Sequence, residues 1–318
     1  MNPSTRRSAG HRWRAIRIRS WLAILGAAGA SVAGGCATTT TTSALPAPAE
    51  GEVAAVPAVH RGPQGDGGQF VVECGFSHAA MDDPIVHPGH AGKSHRHDFF
   101  GNVATSSTST AASLLGGDTT CNLRLDAAAY WAPSLMDRGE PVTPLGSVIY
   151  YRPAPGVDPT TLVPYPTGLM MLSGDPTATT PQPVEIAGWA CGVSSDLRSR
   201  PQECDPTAPL QVRITFPDCW DGTRLDSPDH RAHVTYSRDG RCPAAHPVVM
   251  AQLTVTVRYP IAGPGHDLEL ASGSTLGAHA DFLNAWDEQE LADQVRLCLH
   301  RSAVCNVASN RGQSVAIG

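Results

Sequence analysis

Lysine is almost missing: Lys93 is the single example in 318 residues, so arginine carries nearly all the basic charge. None of the nine cysteines forms a C-x-x-C pair, which disfavours a zinc ribbon or a thioredoxin-like redox centre. A G-x-S-x-G elbow, an H-E-x-x-H helix and a P-loop are also lacking, so these familiar enzyme signatures are excluded. Outside Trp21–Ala33 there is no long apolar run, and that one is shorter than the ~20 residues a bilayer span requires. The mature chain is therefore not expected to be an integral membrane protein. No internal repeat is present.

What the amino terminus does contain is an export signal over residues 1–35. Six arginines and no acid precede "WLAILGAAGASVA". "AGGC" (Ala33–Cys36) follows and resembles a bacterial lipobox, with Ala33 where leucine is usual, which makes Cys36 the expected lipidation site. The competing reading is an incidental cysteine removed by cleavage further on. Arg6-Arg7 is followed by "SAG" rather than by the apolar and basic residues of a twin-arginine signal. The expected location is extracytoplasmic, with a lipid anchor to the cell membrane. A mature chain starting at Cys36 also disfavours a copper oxygenase that uses an amino-terminal histidine.

Charge excludes another partner class. The chain has 23 basic and 29 acidic residues; without the six signal arginines the balance is 17 against 29, a net of -12. A nucleic acid partner needs a basic face, which this composition does not provide.

Residues 36–68, rich in Thr, Ala, Pro and Gly, bury too little apolar surface to offset ordering and are expected to be a disordered tether. Residues 309–318 are expected to be a flexible tail. Between them, residues 69–308 are expected to form a single β-rich domain. "QFVVEC" places Phe70, Val72 and Cys74 on one face; "QVRITF" does so with Val212, Ile214 and Phe216, and "LTVTVRY" with Leu253, Val255, Val257 and Tyr259. One carboxy-terminal helix is expected in "DEQELADQVRLCLH", with Asp287 as cap, Glu290 at the capping-box position, and Leu291, Val295 and Cys298 on one face. Setting Cys36 aside leaves eight cysteines, an even set that suggests disulfides in an exported chain. Pairing of sequence neighbours is expected: Cys74–Cys121, Cys191–Cys204, Cys219–Cys242 and Cys298–Cys305. The fold class is mainly β, an antiparallel sandwich with long loops.

Chemistry-bearing residues gather in three places. "KSHRHDFFGN" holds His95, His97 and Asp98; if it is a strand, the two imidazoles share a face and Asp98 points away. "FPDCWDGTRLDSPDHRAHVTY" holds Asp218, Asp221, Asp226, Asp229, His230 and His233, and "GAHADFLNAWD" holds His279 and Asp281. Two adjacent strands could then present His95, His97, His279 and Asp281 to one divalent ion, with nitrogen-rich ligation suiting zinc, copper, manganese or iron. Asp98 is a further candidate carboxylate ligand or outer partner. Glycan hydrolysis would draw its two carboxyl groups from Asp98, Asp221 and Asp281, while elimination would use His97 or His230 as base. The bland alternative makes these histidines loop ties, the acidic run a series of capped turns, and Phe99 and Phe100 core. Trp131, Trp220 and Trp286 could stack on sugars, although half-buried packing is the favoured reading for any one of them.

"DDPIVHPGHAGKSHRHDFFGN" (Asp82–Asn102), "TTCNLRLDAAAYWAP" (Thr119–Pro133), the Phe216–Tyr236 segment, "CPAAHPV" (Cys242–Val248) and "HADFLNAWD" (His279–Asp287) together resemble the DUF1996 family, a secreted domain of unknown function. The resemblance runs in order over about residues 70–300, with Ala285 where glycine is expected. Some fungal members adjoin sugar-binding WSC modules, which implies a cell-wall or polysaccharide setting; it implies no assigned catalytic residues. The expected function is action on envelope polysaccharide as a hydrolase or lyase with a His/Asp site. A metal-binding protein and a non-catalytic wall-glycan binder are the alternatives.

Overall fold

The computed structural model describes residues 68–305 and the backbone of residues 55–57. The export signal, Cys36, the rest of the tether, and the tail lie outside the described residues. Among those described, no helix is long and apolar enough to cross a membrane.

Twelve strands build two main sheets: β1 (Ala55–Pro57), β2 (Gln69–Cys74), β3 (Phe76–Ala80), β4 (His97–Gly101), β5 (Ala129–Pro133), β6 (Gly146–Arg152), β7 (Met170–Gly174), β8 (Ala187–Cys191), β9 (Leu210–Thr215), β10 (Gln252–Arg258), β11 (His279–Leu283) and β12 (Ala303–Cys305). The seven-stranded sheet runs β1-β12-β2-β6-β10-β9-β8 and the five-stranded sheet β3-β4-β5-β11-β7. Pairing is antiparallel except between β12 and β2, which run parallel. β1, inside the expected tether, pairs with β12.

The three alternating segments become strands with the expected inward faces. Phe70, Val72, Val212, Ile214, Leu253, Val255 and Val257 join Phe100, Tyr130 and Phe282 of the five-stranded sheet in one buried core. Aromatic rings fill the middle: Phe70 stacks on Tyr151 at 4.4 Å, and Phe282 lies 5.3 Å from Tyr130 and 6.5 Å from Phe216. All four expected disulfides are present. They fit an oxidising, extracytoplasmic compartment.

The carboxy-terminal helix spans Glu288–Gln294 and continues as a wider turn over Val295–Leu299. Asp287 caps it, accepting from the Glu290 amide at 2.9 Å. The capping box stays incomplete, because the Asp287 amide donates to the Leu125 carbonyl and Glu290 turns its carboxylate to Gln294. Leu291, Val295 and Cys298 are buried as expected.

One polar chain is sealed in this core. The Trp286 Nε1–H donates to Tyr151, whose hydroxyl lies 2.6 Å from that of Tyr130, and Tyr130 donates to Asp126 at 2.8 Å. Burial pushes the Asp126 carboxyl up to about 8. The folded protein therefore keeps this proton between the ordinary carboxylate range and pH 8, while the unfolded chain releases it. Stability is expected to fall as pH rises across that window, with a slope of up to ~1.4 kcal/mol per pH unit. Denaturant titrations at several pH values should show the slope, and Asp126→Asn should flatten it; the same slope in the variant would eliminate Asp126 as its source.

Candidate metal centre

The candidate site occupies the outer face of the five-stranded sheet, away from the main core. Alternation along β4 and β11 turns Phe100 and Phe282 inward and His97, Phe99, His279 and Asp281 outward. On that outer face Phe99, Trp131, Leu283 and Ala129 form a second apolar cluster with Ile85 and Leu114. Ile85 belongs to the 82–95 loop, so this cluster is what anchors the loop over the sheet.

The loop is tied by two consecutive aspartates. Asp82 accepts from the amides of Gly92 and Ser107 at 3.0 Å each, and Asp83 accepts from those of Ile85 and Val86 at 2.9 Å each. The Asp82 carbonyl accepts from Nδ1 of His97 at 2.9 Å, and the Gly277 carbonyl accepts from Nδ1 of His279 at 2.7 Å. A carbonyl can only accept, so Nδ1 carries the proton in both rings and Nε2 keeps its lone pair. Nε2 of His97 and of His95 is buried without a hydrogen-bond partner.

These imidazoles meet. Ring centroids lie 4.2 Å apart for His95 and His97, 5.1 Å for His95 and His279, and 6.1 Å for His97 and His279. One donor atom from each of the three lies within 4.8 Å of the others, and the same holds for Asp83, His97 and Asp281. Burial drives the rings towards the neutral, metal-binding form: His97 falls well below the ordinary histidine range, with the neighbouring rings adding to the effect, and His279 is pushed down to about 4. Asp281 moves far the other way, mainly by burial and then by the charge of Asp83. One Asp281 oxygen has no hydrogen-bond partner.

Several expectations need correction. β4 and β11 are not adjacent; β5 stands between them, pairing Trp131 with both Phe99 and Asp281. The strand begins at His97, so His95 reaches the centre from the loop end. Gly174 of β7 faces His279 in register, and a Cβ there would come within 2.3 Å of the Ala278 carbonyl, so only glycine permits this approach.

The remaining candidates separate from the centre. Asp98 points to the opposite side of β4, accepts from Ser134 at 2.7 Å and is pushed up to about 6 by burial. Asp221 caps a turn and pairs with Arg224 at 2.6 Å. Asp218 accepts from the Ser237 amide, and Asp229 receives the amides of Arg231 and Ala232. His233 is consumed by Ser227 and the Met170 carbonyl, and His230 by Asp226 at 2.9 Å. His230 still lies close enough for its charge to act on Asp83. Trp131 and Trp286 are wholly buried, and only Trp220 is part-exposed.

Residues that sequence reasoning missed are Asp83, His87 and Arg231. His87 acts electrostatically on His95, His97 and Asp83. Asp83 and His87 stand in the Asp82–Asn102 segment and Arg231 in Phe216–Tyr236, yet irregular loops have no periodicity from which their direction could be read.

A family model described as Domain of unknown function (DUF1996) matches residues 83–286, a span that holds every residue of the centre. No curated protein and no solved structure matches the chain.

Proposed function

Because this chain belongs to the DUF1996 family, whose description carries no activity, we propose a function from the site itself: an extracytoplasmic metalloprotein that acts on envelope polysaccharide as a hydrolase or lyase. His95, His97 and His279 are its metal ligands, and Asp281 is the carboxylate ligand or partner. Cys36 is its lipid anchor.

The observation that carries this reading is the set of three facing imidazoles, two of them locked by backbone carbonyls with Nε2 unprotonated. Such outer hydrogen bonds orient a ligating histidine and raise its basicity. Nitrogen donors with one carboxylate suit zinc, copper, iron or manganese. A divalent ion here would supply Lewis acidity and a water acidic enough to react near neutral pH. Asp83 and Asp281 would accept or return a proton beside it, and half-buried His95 lies towards solvent. Hydrolysis by two carboxyl groups alone receives less support, since Asp98 and Asp221 stand apart from Asp281. A non-catalytic sugar platform loses two of its three candidate tryptophans to the core.

The test is metal analysis of the mature chain, followed by cobalt titration and a screen for product release from cell-wall glycans with and without chelator. One equivalent of metal per chain and chelator-sensitive release are expected. Failure to bind cobalt or zinc at micromolar concentrations would reduce the cluster to a hydrogen-bonded tie.

A further inference from the structure

We propose that Arg231 is an oxyanion anchor beside the His95–His97–His279 centre, so that the bound substrate carries an acidic group, as an acidic glycan does. The proposal rests on the metal reading above and adds a substrate class to it.

The geometry begins at Gly174, whose backbone is pressed against His279: a Cβ on Gly174 would lie 2.7 Å from the His279 Cα. The carbonyl of the same Gly174 accepts from Nη2 of Arg231 at 2.6 Å. The guanidinium is thus one peptide unit from a ligand of the centre, and its charge reaches both His279 and Asp281. Among the described residues no carboxylate forms an ion pair with it. Asp175, which also feels the Arg231 charge, is turned to the amide and hydroxyl of Thr177 at 2.9 and 2.7 Å. A guanidinium offers five N–H donors in a planar fork, and the bond to Gly174 leaves donors for a ligand. Arg231 is exposed, as a group that meets substrate must be.

The loop that carries it is built to hold it still. Asp229 accepts from Ser227, from the Arg231 amide and from the Ala232 amide, and these bonds hold its carboxyl well below the usual range. His230 adopts a left-handed backbone with φ 56° while its ring bonds Asp226. Arg224 ties the far side through the Ala232 carbonyl at 2.8 Å. This arrangement gives the "DSPDHRAH" cluster a role without making its histidines ligands: it positions one arginine. In a protein whose mature sequence carries an excess of acid, a loaded centre flanked by Arg231 is where a planar oxyanion finds two cationic partners.

The experiment uses the mature chain loaded with cobalt, in wild type, Arg231→Gln and Arg231→Lys forms. Equal cobalt affinity in all three is the control that the centre survives. Glucuronate, sulfate, phosphate and glucose are then titrated against the cobalt visible spectrum. Wild type should bind at least one oxyanion and not glucose. Arg231→Gln should weaken that oxyanion by about tenfold to a hundredfold, the worth of a charge-assisted hydrogen bond. Arg231→Lys, a point charge without the fork, should fall between. Preference for glucuronate assigns a carboxylate substrate, and preference for sulfate or phosphate an esterified one. Oxyanion affinity unchanged in Arg231→Gln, with cobalt still bound, would overturn the anchor and leave the metal reading standing. A wild type that binds no cobalt overturns both.

Discussion

Replacing His97 by alanine should lower the affinity for a divalent metal by at least about a hundredfold, because even an outer partner of a ligating imidazole is worth ~10- to 100-fold. His97 belongs to both close groups of donor atoms and is wholly buried, so its loss removes a donor that both groups share. The fold should persist. The ring makes one hydrogen bond, to the Asp82 carbonyl, and Asp82 remains tied to Gly92 and Ser107 through its carboxylate. Far-UV dichroism and a melting curve would establish the fold, and competition against a chromogenic chelator the affinity. His230→Ala is the matched control, since that ring bonds Asp226 and lies outside both groups. Equal affinities in wild type and His97→Ala would remove the centre; loss in His230→Ala alone would move it to the other loop.

Phe282→Ala should instead cost stability, about 3–5 kcal/mol, the usual loss for a buried phenylalanine. Its ring packs among those of Tyr130, Tyr165 and Phe216 between the two sheets. Denaturant midpoints should fall with an unchanged slope, while any of the protein still folded should bind metal as wild type does. A loss below about 1 kcal/mol would mean that the two sheets do not share a core at this point. His97 of β4 looks outward and Phe282 of β11 inward, so the two substitutions should separate function from stability.

Much of this architecture was legible because period-two alternation is a strong local signal. Phe70 and Val72, Val212 and Ile214, and Leu253, Val255 and Val257 point where alternation says they must. The cysteines paired with their sequence neighbours, which favours short loops. The H-x-D spacing likewise told which residues share a face, whereas His95 lies ahead of the strand and meets His97 from the loop. The H-x-H and H-x-D spacings could not tell how many strands lie between them: β5 begins at Ala129, 28 residues after β4 ends at Gly101, and nothing in "HRHDFFG" encodes it. Asp83 and Arg231 were hidden for a different reason. Their direction depends on turns held by Asp82 and Asp229, and a turn aims a side chain through hydrogen bonds that have no repeat in sequence. Asp98 and Asp221 were attractive as acids, yet burial against Ser134 and a salt bridge to Arg224 engage them elsewhere.

The five residues His279–Leu283 also constrain how related chains can differ in length. Because successive side chains exchange faces, losing or gaining one residue between His279 and Phe282 would put the imidazole and the phenyl ring on the same side of the sheet. No compensating substitution at one position could restore both sides at once. Length variation should therefore collect in the connections, such as Asp175–Pro183 or Ser194–Pro209, and the spacing from His279 to Phe282 should stay a fixed interval even among relatives that keep little else.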